Sequence, residues 1–190
     1  EPGFDKDDYD TDETIYFVCL DTLGVNVVAC SRLNPTTGPT LLRDVFPNHC
    51  HFQEPPSDPE IYELSRYIVD AKAMTKETAI AVRARMSSAV NLFCLQSGIR
   101  SLAILTYMST YARSLRVWPT RPLGRPLFSD HDQATYIAAL CDMVPAGLQK
   151  LRADFGLRAN EPHLSSRMDP LHSPPAHRIQ REISQRVLAA

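Results

Sequence analysis

A chain of 190 residues, 44% hydrophobic and 22% charged with a formal net charge of −2, is long enough for one domain with a sizeable core. That balance implies no extended nucleic-acid partner, no apolar run reaches membrane-span length, and no signal-peptide pattern opens the numbered chain, so a cytoplasmic protein is expected. Cys19, Cys30, Cys50, Cys94 and Cys141 are widely spaced and mostly inside apolar runs, as reduced core thiols are, which excludes a disulfide framework.

The chain opens acidic. Asp5, Asp7, Asp8, Asp10, Asp12 and Glu13 crowd together with Lys6 as the only nearby cation, and six close acids repel unless they are solvated or bound. Residues 14–20 form an apolar run of strand length; a turn at 21–24 and a second run at 25–29 complete a hairpin. The second strand runs into residues 30–39, where two prolines and a glycine end it and leave Arg32 at a strand end. Residues 41–46 read as a short helical or irregular piece and 49–59 as a loop. Within that loop His49, Cys50 and His51 point apart and have no second cluster at ligand spacing, so no metal site is expected.

Residues 62–70 form the strand around which the rest is arranged. Alternation puts Tyr62, Leu64, Arg66 and Ile68 on one face and Glu63, Ser65, Tyr67 and Val69 on the other. An acid and an arginine in mid-run mark either an edge strand with a solvated face or a polar cleft, where charges pair or meet a ligand. Thr75 as N-cap, Glu77 in the first turn, and Ala79, Ile80, Val82, Met86, Ala89, Val90 and Phe93 at helical spacing define a long helix ending at Gly98. Residues 101–108 read as a strand, 110–118 as a short helix broken at Pro119, and 135–144 as a final strand. Pro145 then starts a helix through Leu148, Leu151 and Phe155. The order is mixed α/β, with a domain at 1–156 and a proline-rich appendage at 157–190, where Ile179, Ile183 and Val187 suggest a terminal helix.

No G-x-G, P-loop or G-x-S-x-G pattern occurs, which argues against dinucleotide binding, P-loop chemistry and a nucleophile elbow. What remains is charge: the acidic opening, Arg32, and the Glu63/Arg66 pair. A substrate bearing both cationic and anionic groups would use all three.

Three blocks carry a resemblance: Asp5-Lys6-Asp7-Asp8-Tyr9-Asp10; Arg32-Leu33-Asn34-Pro35-Thr36-Thr37-Gly38-Pro39 followed by Asp44-Val45-Phe46-Pro47; and Glu63-Leu64-Ser65-Arg66-Tyr67. In order, spacing and residue type the chain resembles the acyl-homoserine-lactone synthases, the autoinducer synthases of bacterial quorum sensing. Trp118 and the strand at 136–140 extend the likeness to about Phe155.

The resemblance implies an N-acetyltransferase-like fold, a twisted mixed sheet split into a V between two central parallel strands and flanked by helices. Those strands are expected at 62–70 and 101–108, joined by the long helix in a right-handed crossover. It also implies an acyltransferase that joins the α-amine of S-adenosylmethionine to an acyl chain from acyl carrier protein or coenzyme A, then closes the lactone and releases methylthioadenosine. S-adenosylmethionine is then a substrate, and no cofactor or metal is implied. By the same resemblance Asp5, Asp7, Asp10, Arg32, Phe46 and Arg66 bind S-adenosylmethionine, Glu63 is the base with Arg66 beside it, and Ser65, Tyr67, Ile104, Thr106 and Met108 line the acyl pocket. Where members making 3-oxo products often place a threonine, Ile104 is the expected counterpart. An unsubstituted donor is therefore expected, with Thr106 two residues further on as the alternative partner for a substituent.

The chain departs from the family pattern at Asp5, usually glutamate, and at Tyr67, usually phenylalanine. The family's N-terminal helical segment does not stand ahead of Glu1, so the numbered chain is expected to lack its natural N-terminus. Two other readings compete: a generic N-acetyltransferase using acetyl-coenzyme A, which would need the Gly-rich pyrophosphate loop missing here, and a non-enzymatic interaction domain, which would not bind S-adenosylmethionine.

Overall fold

The computed structural model describes residues 7–158. Asp5 and most of the expected appendage, with its terminal helix, lie outside the described residues. The chain runs β1 (Ile15–Leu20), β2 (Val27–Pro35), α1 (Leu41–Asp44), β3 (Ile61–Val69), α2 (Lys76–Ser97), β4 (Ser101–Tyr107), α3 (Met108–Ser114), β5 (Thr120–Pro122), β6 (Leu127–Ser129), β7 (Ala134–Asp142) and α4 (Pro145–Phe155). One sheet collects the strands in the order β1-β2-β3-β4-β7-β5, with β6 also paired to β7. Only β3 and β4 pair in parallel, as a strand–helix–strand crossover through α2 requires.

The long helix starts where Thr75 accepts a hydrogen bond from the Thr78 amide at 3.2 Å, a cap worth about 1 kcal/mol. It stops at Gly98, whose φ of +73° is a left-handed conformation a Cβ would penalise. Its buried face, Met86, Ala89, Val90 and Cys94, packs on Phe17, Leu33, Leu102 and Cys141 from the sheet, with Leu64 and Ile104 at the margin. Each large side chain buried there contributes about 1.5–3 kcal/mol. The opposite face buries Ile61, Ala103, Ala138 and Leu140 against Leu42 and Leu123. Behind α2, α4 brings Gly147 so close to Trp118 that a Cβ at that glycine would lie 2.6 Å from the indole Cδ1.

Several expectations need correcting. Arg32 is in the interior of β2, not at its end, because β2 stays paired with β1 as far as Leu33 and with β3 as far as Pro35. Met108 opens α3 rather than closing β4, and the short helix ends at Ser114. β5 and β6, three residues each, are additions to the expected elements; Pro122 closes β5, Pro126 precedes β6, and β7 supplies their pairing.

The simple alternation along β3 also fails. Cys30 faces Ile68 and Arg32 faces Ser65, so Arg66 and Tyr67 together stand opposite Ser31 alone. This is a β-bulge, with Arg66 at φ +49°, a region non-glycine residues seldom enter. The bulge re-phases the strand. Arg66 turns to the face of Glu63 and Ser65, and Tyr67 turns toward α2. Pairing between β3 and β4 covers only Ile61–Leu64 with Ser101–Ile104; beyond it the strands part, giving the V-shaped opening.

Candidate active site

On the sheet face away from α2, β2 and β3 lay four polar side chains side by side through their register: Arg32 opposite Ser65, and Asn34 opposite Glu63. Arg32 is fully buried. Its Nε donates to Ser65 Oγ at 2.9 Å, and its Nη1 donates to Asp7 Oδ1 at 2.6 Å and Asp10 Oδ1 at 2.9 Å. Arg66 Nη2 reaches the other oxygen of Asp7 at 2.9 Å. Nη2 of Arg32 has no hydrogen-bond partner among the described residues. A buried guanidinium N–H in that condition costs about 1–3 kcal/mol, which an anionic group brought against it would remove.

The acidic opening is folded, not a solvated tail, from Asp7 onward. Asn34 Nδ2 donates to the Tyr9 carbonyl at 2.9 Å, Thr14 Oγ1 donates to Asn34 Oδ1, and the Tyr9 and Asp10 amides turn back onto Asp7. Desolvation pushes Asp10 up, but hydrogen bonds from Tyr16, the Asp7 amide and Arg32 outweigh it and hold its carboxyl at about 2. Asp7 is likewise lowered by Arg32 and Arg66 against the same desolvation. Both are anions at neutral pH, already committed to guanidinium partners and still partly open to solvent.

Glu63 is buried, and each of its oxygens accepts a backbone amide from the start of α1: Leu41 N at 2.9 Å and Leu42 N at 2.8 Å. Burial pushes its carboxyl up, and the two amides and Arg32 only partly offset that. The loop it holds is clamped from its other side by Arg43, which donates to the carbonyls of Thr36, Gly38 and Pro56. Thr40 caps α1, and Asp44 accepts from the Thr40 amide. Phe46 follows, packed beside Leu42, with its ring edge-on to His49 at 5.8 Å between centroids. Beside Asn34 a recess of about 270 Å³ opens between the acidic segment and this loop, lined by Thr11, Asp12, Glu13, Pro35 and Pro39.

The residues assigned to the acyl pocket divide between the two faces. Ser65 lies on the charged side, engaged by Arg32. Tyr67 lies on the α2 side, its hydroxyl 2.9 Å from the Arg83 carbonyl and 2.9 Å from Ser87 Oγ. Ile104 packs on the α2 core at the point where β3 and β4 part, and Thr106 and Met108 follow along the diverging β4 and the start of α3. Arg43, Asn34, Tyr16 and Ser87 escaped sequence reasoning. Asn34 stands inside a quoted block and Arg43 immediately before one; nothing local marks Ser87.

A sheet that splits between two parallel central strands, with acids and guanidiniums on one face and an apolar layer under a helix on the other, defines an acyltransferase of the N-acetyltransferase-like fold. Residues 1–142 match the family model described as autoinducer synthase. An acyl-homoserine-lactone synthase of Ralstonia solanacearum is 36% identical over 150 residues, taking in 71% of this chain and 72% of that protein. The isovaleryl-homoserine lactone synthase of Bradyrhizobium diazoefficiens is 31% identical over 156 residues, 82% of this chain and 68% of that protein. The solved structure of a coenzyme A-dependent acyl-homoserine lactone synthase, BjaI, with S-adenosylmethionine and isopentyl-coenzyme A, superposes at a TM-score of 0.73 with 28% identity, covering 93% of this chain and 78% of that one. The chain belongs to the autoinducer synthase family.

Proposed function

We propose that this protein makes an N-acyl-homoserine lactone from S-adenosylmethionine and an acyl thioester carried on coenzyme A or on acyl carrier protein. The observation that carries the reading is the buried Arg32, paired with Asp7 and Asp10 through Nη1 and without a hydrogen-bond partner at Nη2 among the described residues, beside Arg66 at the mouth of the strand split. S-adenosylmethionine bears a carboxylate, an ammonium and a sulfonium, and guanidiniums interleaved with aspartates complement all three. Phe46 and the recess by Asn34 sit on the same face, with room for the remainder of the molecule.

The ammonium must lose a proton before it attacks. Glu63, held above the usual glutamate range by burial, takes that proton directly or through a water. The freed amine attacks the thioester carbonyl, the N–C bond forms, and a backbone N–H exposed where β3 and β4 part holds the oxyanion. Collapse breaks the C–S bond, and the proton passes to the departing thiolate. The carboxylate of the acylated product then displaces sulfur at the carbon beside the sulfonium, closing the ring and expelling neutral methylthioadenosine. Holding the carboxylate in line supplies much of that second step.

The acyl chain lies on the α2 side of the opening, along Tyr67, Ile104, Thr106 and Met108. Because Ile104 is packed on the core at the apex, Thr106 is the first β4 side chain on that face beyond the last strand pair, and a chain substituent would meet its hydroxyl before meeting Ile104. A donor bearing several phosphates suits the other half of the sequence. Between Glu77 and Asp130 there is no acid, whereas Arg83, Arg85, Arg100, Arg113, Arg116, Arg121 and Arg125 all fall there and all are exposed. We place the reaction in the cytoplasm; all five cysteines are free thiols, and no helix among the described residues is long and apolar enough to cross a membrane. The test is direct: purified protein with S-adenosylmethionine and acyl-coenzyme A or acylated carrier protein should yield acyl-homoserine lactone and methylthioadenosine in equal amounts by mass spectrometry. Acylation of a simple amine without methylthioadenosine release would favour the generic N-acetyltransferase instead.

A further inference from the structure

We propose that a latch between β3 and α2, made by Tyr67 and Ser87, forms the end wall of the acyl cleft and limits the length of chain the protein accepts. The inference rests on the acyltransferase reading above and adds to it the element that sets specificity. Three observations carry it. The bulge at Arg66 swings Tyr67 out of the alternation and under α2, three residues past Leu64, the last β3 residue paired with β4. The phenol hydroxyl then donates to the Arg83 carbonyl, 2.9 Å away, and Ser87 Oγ, at the same distance, completes its second bond. The residue is nonetheless 37% exposed, so it is part open to solvent while its far end is fastened to the helix.

A side chain fixed at both ends is a strut. It spans the gap between the sheet and α2 beyond the last β3–β4 pair, on the same side of the sheet as Ile104. A chain entering through the split and running between sheet and helix meets this ring, and can pass only if the ring swings away. Swinging costs both hydroxyl contacts and leaves the Ser87 hydroxyl to find a new partner. A phenylalanine in the same place would have no such tether and could rotate about χ1 and χ2 to lengthen the cleft. Ser87 has no other hydrogen bond among its described side-chain contacts, which fits a residue serving the latch.

The experiment uses the intact protein and non-reactive acyl-pantetheine thioethers with butanoyl, hexanoyl, octanoyl and decanoyl chains, titrated by calorimetry into wild type, Tyr67→Phe, Ser87→Ala and the double variant. These probes carry the group common to both donor types, and their binding does not depend on turnover. The expected result is that Tyr67→Phe shifts the decanoyl-to-butanoyl affinity ratio toward the long chain by about fivefold, the size of one or two lost hydrogen bonds. Ser87→Ala should shift it in the same direction by less, and the double variant should match Tyr67→Phe because the two residues act through one contact. The ratio within each variant is insensitive to partial misfolding, which a merely structural role would produce. Unchanged ratios in both single variants, or wild-type protein that binds no probe of any length, would overturn the latch. Lactone formation by wild type is scored separately and bears only on the proposed function.

Discussion

Under the proposed function Glu63 has two duties that pull against each other. To be a base it must offer a lone pair to the substrate, yet both of its oxygens already hold the amides of Leu41 and Leu42 and so fix the loop leading to Phe46. Glu63→Gln should lower acyl transfer by a factor on the order of 10² through loss of the base. It should also lower the melting temperature, because the amide nitrogen would face a backbone N–H and leave two donors opposed, at about 1–3 kcal/mol. Rates measured well below the variant's melting point separate the two effects; a near-wild-type turnover there would remove Glu63 from the chemistry. Asp7 gives the cleaner probe of substrate binding, because Arg32 is too deeply buried for its charge to be reversed without unfolding. Asp7→Asn should raise KM for S-adenosylmethionine severalfold and leave KM for the acyl donor nearly unchanged, and equal rises in both would mark Asp7 as structural.

At the level of elements, legibility followed the punctuation. Thr75 and Gly98 announce the ends of α2 and Pro145 the start of α4, since caps, N-terminal prolines and left-handed glycines are local chemistry. The bulge was unreadable for the converse reason: the residue in the left-handed conformation is Arg66, not glycine, and it is held there by tertiary context that includes β2 pairing around it and the ion pair with Asp7. Tertiary partners such as the amides under Glu63 or Ser87 under Tyr67 leave no mark on periodicity at all. A comparison at position 66 tests the bulge independently of charge. Arg66→Gly should be more stable than Arg66→Ala by up to about 1 kcal/mol in denaturant melts, against the usual order, because glycine adopts positive φ without penalty. If alanine were the more stable, the bulge would not need a left-handed residue.

Across the whole molecule the proposed function makes the sheet a partition, with the zwitterionic substrate on one face, the acyl chain on the other, and the split as the place where they meet. This division has a pH signature. Asp10, held at about 2, and Asp7, lowered from the ordinary 3.8, contribute stability that is present above 3.8 and lost as pH falls toward 2. Glu63 runs the other way: its raised value means its contribution is present below 4.5 and is lost as pH rises through the folded value. Melting temperature titrated downward from neutral should therefore drop between 3.8 and about 2, and Asp10→Asn should flatten that part of the curve. On acidification turnover should fail before the fold does, since falling pH protonates Glu63 and removes its base form at a pH still above the ordinary 4.5. An acid limb of kcat below the ordinary glutamate value would contradict the assignment.

Trp118, wedged against Gly147, is the single tryptophan of the chain. Its indole therefore acts as a built-in optical gauge, reporting by its emission wavelength whether α4 is seated. Because the strand split and the charged net lie elsewhere, a fluorescence trace during unfolding would time the departure of α4 separately from the loss of the substrate site, without any label added to the protein.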